Sequence, residues 1–403
     1  MKTKYISYLL RVAVLAYLLL SFYYFLGKPV GGGDEALFIA DLELIRTSGW
    51  SAAIEKGISL PYMMLAYPLS LVFEPFVALR GINILLFFGL LIYFFRIRKI
   101  KDLDFYALLL FFFSTVGYFM AGTNDTLFVA GLVIFLVETH RVLEGTEKAS
   151  LFWWGLGFVI AFFTRELILV FAPVIVLALF LILKLKKARL RTLSVPLIVA
   201  VVLVLLNLPS LSENGSLSYD KKLPPETTEV TWAQRQYYAQ LLVNQGKIPN
   251  YNHPNWKQTE TYLKTHGQDA LPRTVGDALF FDPGLTVKEF FKDFLDIVIY
   301  GGRQLALVLP IILLYLLITW FKGRRWSAHL FVPTAVLVMM CVFALIIISF
   351  VELRWLAPVF IAAIFYFYVL KHQSRIPKLL VQANYLFTSL LCLYGMYGMI
   401  TKL

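Results

Sequence analysis

Residues 6–26 read ISYLLRVAVLAYLLLSFYYFL, an apolar run that only Arg11 interrupts with a charge. A transmembrane helix needs about 20 such residues to cross a hydrocarbon core about 30 Å thick. Lys2 and Lys4 precede the run, as they would in a signal peptide. The run is longer than the apolar part of a signal peptide, however, and no small-residue cleavage site precedes residues 31–33. We therefore predict a retained first transmembrane helix.

The composition extends this interpretation to the rest of the chain. Of its 403 residues, 59% are hydrophobic and 15% are charged, whereas soluble domains carry about 25% charged residues. The net charge is +12, but the lysines and arginines form short clusters between apolar runs, which favours cytoplasmic loops over a nucleic-acid surface. Cys341 and Cys392 both lie inside apolar runs, where they resemble core residues rather than a disulfide or a metal pair. We expect an all-α polytopic protein whose partner is the lipid bilayer and not nucleic acid.

Four basic clusters orient the predicted helices, and they lie at residues 96–101, 184–191, 322–325 and 371–378. Placing each cluster in the cytoplasm predicts a cytoplasmic N-terminus, an outside C-terminus and about eleven spans. The predicted spans are residues 6–26, 80–95, 104–120, 127–143, 151–164, 167–183, 193–209, 302–321, 328–349, 355–370 and 379–400. We expect a multi-pass protein of a bacterial inner or plasma membrane.

Two predicted outside segments are longer than simple turns. The first, residues 27–79, contains apolar stretches at 35–48 and 59–75, which we interpret as juxtamembrane helices because neither has the flanking charge of a cytoplasmic boundary. The second, residues 210–301, is polar, includes Pro224-Pro225 and is too long for a linker, so we predict a small folded extracytoplasmic cap.

These segments divide the chain into three predicted parts. Residues 1–209 form an N-terminal transmembrane module, residues 210–301 form the cap, and residues 302–403 form the C-terminal transmembrane helices. Within the cap, residues 231–243 and 286–299 have the apolar spacing of helices.

The segment after the first span, residues 31–35, reads GGGDE. Asp34 is a natural N-cap for a helix over residues 35–48, and Glu35 suits its first turn. A carboxylate fixed at the membrane interface could also accept a proton from an incoming hydroxyl, as a general base. The two interpretations are compatible, because a capping residue can also be positioned to react.

A second carboxylate, Asp125, is predicted on the same side of the membrane. It lies in the short turn between the spans at 104–120 and 127–143, where a turn or N-cap role suits it equally well. Asp34 and Asp125 could therefore form an acid/base pair or a pair that orients a substrate.

Three arginines, Arg80, Arg165 and Arg354, fall at predicted outer helix ends. Arginines in such positions often extend their charge to the lipid headgroups, and Arg165 could also pair with its neighbour Glu166. A guanidinium also binds phosphate oxygens through two parallel hydrogen bonds and keeps its charge at every relevant pH. Recognition of a lipid-linked phosphate is therefore the functional interpretation of these arginines.

Other common sites are missing from the sequence. It contains no phosphate-binding glycine loop, no zinc-protease motif and no nucleophile elbow. The spacing of His253 and His266 matches no metal motif.

Taken in order, the short motifs resemble those of the GT-C membrane glycosyltransferases. The similar branch holds the protein O-mannosyltransferases, the lipid A aminoarabinose transferases and the bacterial Rgt-like enzymes. The matching features are the outside Gly-Asp-Glu-Ala of residues 33–36, a helix that ends at Ser48-Gly49-Trp50, the Ala-Leu-Arg of residues 78–80, an acidic residue at 125, and the Arg-Trp-Leu-Ala-Pro of residues 354–358.

The resemblance covers residues 6–183 well and residues 328–370 loosely. The sequence departs from the branch at Phe38, where a tyrosine often follows the acidic pair. It also departs at Leu60-Pro61, which lacks a fuller basic-Pro-Pro-Leu pattern.

The resemblance implies transfer of a sugar from a polyprenyl-phosphate donor to a lipid, glycan or protein acceptor outside the cytoplasm, with inversion at the anomeric carbon. It implies no cofactor, since members of this branch work without a metal, although other GT-C branches need a divalent cation. By the same resemblance, Asp34 would be the base, and Glu35 and Asp125 would orient acceptor or donor. The resemblance implies that Arg354 faces the donor phosphate, and Arg165 and Arg80 are further candidates from their positions at outer helix ends.

Two other functions are considered. A transporter or flippase of envelope glycolipid would have paired half-repeats and charges near the bilayer midplane, whereas the candidate charges lie at outer helix ends. A non-catalytic envelope assembly subunit would use the large loop as a docking surface, but it leaves residues 31–35 and Asp125 unexplained.

Overall fold

The computed structural model describes residues 2–145, 149–185, 188–220, 228–323 and 328–402 of the chain, and its regular structure is almost entirely helical. The α-helices are α1 (Lys2–Leu26), α2 (Glu35–Lys56), α3 (Leu60–Ser70), α4 (Pro75–Ile92), α5 (Leu103–Thr115), α6 (Asp125–Glu144), α7 (Phe152–Thr164), α8 (Ala172–Leu185), α9 (Ser194–Leu206), α10 (Leu208–Asn214), α11 (Trp232–Asn244), α12 (Trp256–His266), α13 (Val275–Phe281), α14 (Pro283–Leu305), α15 (Val308–Gly323), α16 (Phe331–Leu345), α17 (Ala357–His372) and α18 (Lys378–Ile400). Two short strands, β1 (Ala149–Ser150) and β2 (Ala188–Arg189), pair in parallel.

The apolar helices confirm an integral multi-pass membrane protein of the all-α class. Within the described ranges, seven helices are long and apolar enough to cross a membrane, or up to nine if each of two bent pairs counts as one span. The seven are Lys4–Leu26, Pro75–Ile97, Asp125–Glu144, Glu166–Lys184, Ala328–Leu345, Leu353–His372 and Lys378–Ile400. Two shorter apolar helices, α5 and α7, coincide with predicted spans, so the total of about eleven spans stays a prediction.

Some predicted boundaries shift in the structure. The span predicted at 302–321 begins at Val308, because α14 continues to Leu305 and the chain then turns through Ala306, whose φ is +52°. The helix predicted to end near Gly49 continues to Lys56. It has a kink at Gly49, because the backbone there takes a φ of +82°, which residues other than glycine rarely adopt.

The chain forms two compact units. The first unit comprises Met1–Asp220, Gly302–Val336 and Ala357–Leu403, and the second comprises Lys221–Gly301 and Leu337–Leu356. The described residues do not include positions 186–187 and 324–325, which belong to two of the basic clusters. They also do not include Pro224-Pro225 of the predicted cap.

In the first unit, α6 and α7 pack so closely that their backbones touch. A Cβ atom added to Gly157 would lie 2.6 Å from the carbonyl oxygen of Gly131, and one added to Gly131 would lie 2.8 Å from that of Gly157. Trp154 of α7 also donates a hydrogen bond of 2.9 Å from Nε1 to the Thr139 hydroxyl of α6. The contact holds the start of α6 in a fixed relation to the end of α7.

The second unit has a small core of its own. Buried apolar residues from several of its helices make this core: Val230, Tyr237, Leu263, Leu271, Ala278 and Ile347. Capping boxes begin α11, α12 and α13, where Thr231, Asn255 and Thr274 each exchange hydrogen bonds with the residue three positions later.

Candidate functional site

The first predicted site residues to meet in the structure are Glu35 and Arg80. Glu35 is 2% exposed at the start of α2, and Arg80 is 8% exposed in the first turns of α4. Arg80 Nε lies 2.7 Å from Glu35 Oε1, and a terminal guanidinium nitrogen lies 2.8 Å from Oε2, so the pair is bidentate.

The same pair fixes the glycine segment that precedes α2. Arg80 also donates to the carbonyl oxygens of Leu26, Lys28 and Pro29, at 3.1–3.4 Å. The backbone N–H of Gly31 donates to Glu35 Oε2 at 3.0 Å. Burial raises the pKa of Glu35, but the hydrogen bonds from Arg80 and from backbone N–H groups outweigh it and hold the pKa below its ordinary value. Glu35 is therefore an ionised carboxylate that its hydrogen bonds hold in one position.

The turn before α6 joins this pair through its backbone. The N–H of Gly122 donates to Glu35 Oε1 at 3.0 Å, and Asn83 Nδ2 donates to the carbonyl oxygens of Thr123, at 2.9 Å, and of Ala121. A Cβ on Gly122 would lie 2.9 Å from Glu35 Oε1 and 2.7 Å from the Leu79 Cβ, so this close approach requires glycine.

Asp125, which is buried, and Arg165, which is partly exposed, form the second pair. Asp125 is the first residue of α6 and 4% exposed, and it makes an ion pair with the Arg165 guanidinium, which follows α7 in extended backbone. The Thr123 hydroxyl donates to the other Asp125 carboxylate oxygen at 3.2 Å. Arg165 therefore has an ion-pair partner that begins another helix.

The end of α7 is itself anchored by polar side chains. Asn124 Nδ2 and Ser59 Oγ both donate to the carbonyl oxygen of Thr164, at 3.2 and 2.7 Å. These bonds satisfy a carbonyl that α7 leaves unpaired where it ends. They also bring the residue before Arg165 against the residue before Asp125.

Asp34 occupies the N-cap position of α2, as the sequence predicts, and is half-buried. Its side chain, however, accepts no capping hydrogen bond from the described residues of α2. Capping therefore does not explain why a carboxylate stands at this position.

Together these residues form what we call the acid–arginine cluster: Asp34, Glu35, Arg80, Asp125 and Arg165. Four chain segments contribute to it, from the starts of α2, α4 and α6 and from the end of α7. The two pairs are joined through the backbone of residues 121–125.

Arg354, the third predicted phosphate ligand, belongs to the second unit. It lies in a short 3-10 turn, Leu353–Leu356, and pairs with Glu352. The side chains of Arg80 and Arg354 are each 10% exposed, whereas that of Arg165 is 23% exposed. Among the three predicted arginines, Arg165 is thus the most accessible to a ligand.

Asp41 is a buried carboxyl that the sequence analysis missed. It is 6% exposed, and its Oδ2 atom has no hydrogen-bond partner among the described residues. Burial and the nearby Asp220 raise the pKa of Asp41 to about 7, although Lys56 lowers it. The signal was present in the spacing, since Phe38, Asp41 and Ile45 follow the i, i+3, i+7 spacing of one buried helix face.

Comparison of the chain with models of known protein families, with curated proteins and with solved structures found no match. Among the described residues, no group of three or more His, Cys, Asp or Glu side chains could hold a metal ion.

Proposed function

We propose that the chain is a GT-C-type glycosyltransferase, which moves a sugar from a polyprenyl-phosphate donor to a lipid, glycan or protein acceptor on the non-cytoplasmic side of the membrane. The observation that carries the proposal is the convergence of residues 31–35, 121–125 and 164–165 in one polar cluster at the ends of apolar helices. Charged residues at membrane depth are costly, and they commonly mark substrate sites.

Arg165 is the proposed ligand of the donor phosphate. Asp125, with a side chain only 5% exposed, holds the guanidinium in place, while the Arg165 side chain keeps 23% exposure. A guanidinium offers five N–H donors in a rigid fork that suits phosphate oxygens. Asp125 is therefore a positioning residue, and its charge keeps Arg165 oriented when no donor is bound.

Asp34 is the proposed general base. It would accept the proton of the acceptor hydroxyl as that oxygen bonds to the anomeric carbon of the sugar. The bond between the anomeric carbon and the phosphate oxygen breaks on the opposite face, and polyprenyl phosphate departs with the electron pair. Attack and departure on opposite faces invert the anomeric configuration.

The sequence suggested that Glu35 orients acceptor or donor and that Arg80 binds the donor phosphate, and we propose a different role for both. Because they bind one another and the backbone of the glycine segment, we assign them to positioning Asp34 rather than to contact with acceptor or phosphate. Arg354 stays a predicted phosphate ligand on the family resemblance alone.

The test is transfer by the purified full-length chain in proteoliposomes. The donors are a panel of polyprenyl-phosphate hexoses, the acceptor is a bacterial envelope lipid extract, and the readout is released polyprenyl phosphate. We expect Asp34→Asn to lower the rate at least about 100-fold, because a general base contributes roughly 10²–10⁴. The fold should survive, since Asn is compatible with an N-cap position.

Glu43→Gln is the matched control, because Glu43 lies on the same helix with a side chain 50% exposed. It should transfer at the wild-type rate. Wild-type release by Asp34→Asn would remove Asp34 as the base, and a misfolded Asp34→Asn protein would assign it a structural role instead.

A glycolipid transporter is the second candidate, because discontinuous helices line substrate sites in many transporters. The helix over residues 190–214 bends by 52° at Asn207, and the chain breaks again at residues 306–307. Movement of a labelled polyprenyl-linked sugar across the proteoliposome bilayer, without release of polyprenyl phosphate, would favour this candidate.

A further inference from the structure

A groove of about 530 Å³ runs beside α15 in the first unit, near the turn that joins α17 to α18. Its walls combine apolar side chains of α15 and α18 with cations at one end. The residues that the inference uses are Leu314, Tyr315, Ile318, Lys322, Arg375 and Leu380.

The apolar part of the groove is open to the surroundings of the helix. Leu314 is 53% exposed, Ile318 is 44% exposed, and Leu380 of α18 is 37% exposed. On a membrane helix these side chains lie against hydrocarbon, so the groove suits an acyl chain.

The polar end of the groove carries two positive charges. Lys322 stands in the last turn of α15, and Arg375 lies in the turn between α17 and α18, where it donates to the Tyr315 hydroxyl at 3.4 Å. Neither cation makes an ion pair within the described residues, and no Asp or Glu lines the described groove. Lys371 differs, because it is paired with Asp102 at 2.6 Å.

We infer that this groove binds an anionic phospholipid, with its phosphate between Lys322 and Arg375 and an acyl chain along Leu314 and Ile318. Both cations belong to basic clusters that we predict on the cytoplasmic side, where membranes are rich in anionic lipids. Basic pockets between membrane helices on that side bind such headgroups. The inference does not depend on the proposed glycosyltransferase activity.

The experiment compares lipid binding by full-length variants in detergent, using native mass spectrometry and thermal unfolding. The probes are phosphatidylglycerol and phosphatidylcholine with identical acyl chains. We expect phosphatidylglycerol to bind the wild type more tightly and to raise its Tm further. Lys322→Gln with Arg375→Gln should weaken phosphatidylglycerol binding about 25-fold, since each cation contributes about fivefold.

Arg96→Gln with Lys101→Gln is the matched control, because it removes two exposed cations from another basic cluster. It should leave phosphatidylglycerol binding unchanged. Ile318→Trp fills the apolar part without altering charge, and it should weaken binding of both lipids. That variant keeps the inference testable if the double charge variant does not fold.

Three results would overturn the inference. The first is equal affinity of the wild type for the two lipids, and the second is an equal loss of phosphatidylglycerol binding in the groove and control charge variants. The third is a Tm increase by inorganic phosphate alone that equals the increase by phosphatidylglycerol. The last would show that the acyl chain contributes nothing and that no lipid site exists.

Discussion

The charged residues of the acid–arginine cluster could be selected from the sequence, but their partners could not. Asp34, Glu35 and Asp125 stand out because carboxylates are rare beside apolar runs. Glu35 finds its partner in Arg80, 45 positions along the chain. Such a pairing depends on how helices pack, which periodicity does not specify. The physical reason that Glu35 has a cationic partner is that a buried charge without one costs several kcal/mol.

The buried Asp41 carboxyl makes the stability of the chain depend on pH. Its pKa is raised from 3.8 to about 7, so the folded state holds the proton more tightly than the unfolded chain does. Its contribution to stability is therefore greatest below pH 3.8 and is lost as the pH rises to about 7. Asp41→Asn should raise the free energy of unfolding at pH 8 by at most about 4 kcal/mol, with a smaller gain at pH 5.

The measurement for Asp41 is the Tm of the purified variant at pH 5 and pH 8, compared with the wild type. Glu43→Gln, an exposed acid on the same helix, should show no such dependence on pH. An equal shift of the Asp41→Asn protein at both pH values would argue against a raised pKa.

At the scale of elements, the existence of the helices was predictable and their contacts were not. Each predicted span overlaps a helix, because runs of apolar residues leave few other structures possible in a membrane. Helix ends were less predictable, as the displaced start of α15 at Val308 shows. Gly131 and Gly157 looked unremarkable in the sequence, yet the absence of a Cβ atom at each lets the backbones of α6 and α7 approach closely.

Gly157→Ala tests how far that contact supports the site. The added methyl would lie 2.6 Å from a backbone oxygen, so α6 and α7 must separate. We expect a loss of roughly 1–3 kcal/mol in stability, typical of overpacking, and a loss of transfer activity because Asp125 begins α6 and Arg165 follows α7. Thermal unfolding and the polyprenyl phosphate release assay measure the two effects.

Gly89→Ala is the control for this substitution, since a Cβ at that helical position meets nothing within 4 Å. It should be neutral or slightly stabilising, because alanine favours helix over glycine by up to about 1 kcal/mol. Equal behaviour of the two alanine variants would contradict the role assigned to the α6–α7 contact.

At the scale of the whole molecule, the composition identifies the chain as an all-α membrane protein. The side of the membrane on which each loop lies is predicted from the basic clusters alone. In the part of the chain that the structure describes, seven to nine long apolar helices agree with a multi-pass protein, and the short helices α5 and α7 decide whether the total of spans reaches about eleven. Hydrophobicity alone does not show whether a helix of 13 residues crosses the bilayer, because neighbouring parts of the protein can complete its path.

Single-cysteine labelling tests that topology in intact cells, with Cys341 and Cys392 replaced by alanine. Lys247→Cys should react with an impermeant maleimide from outside, whereas Lys101→Cys and Gly145→Cys should react only after lysis. Lys101 precedes α5 and Gly145 follows α6, so if the long apolar helix α6 crosses the membrane, both residues lie inside only when α5 also crosses. Labelling of Gly145→Cys from outside, with Lys101→Cys protected, would show that α5 does not span.

The most direct test of the proposed site is an experimental structure of the chain in a lipid nanodisc with polyprenyl phosphate. We expect a phosphate oxygen within about 2.7–3.2 Å of the Arg165 guanidinium, in a pocket that the Asp34 carboxylate also faces. A phosphate bound away from the acid–arginine cluster, with Arg165 still contacting only protein atoms, would contradict it.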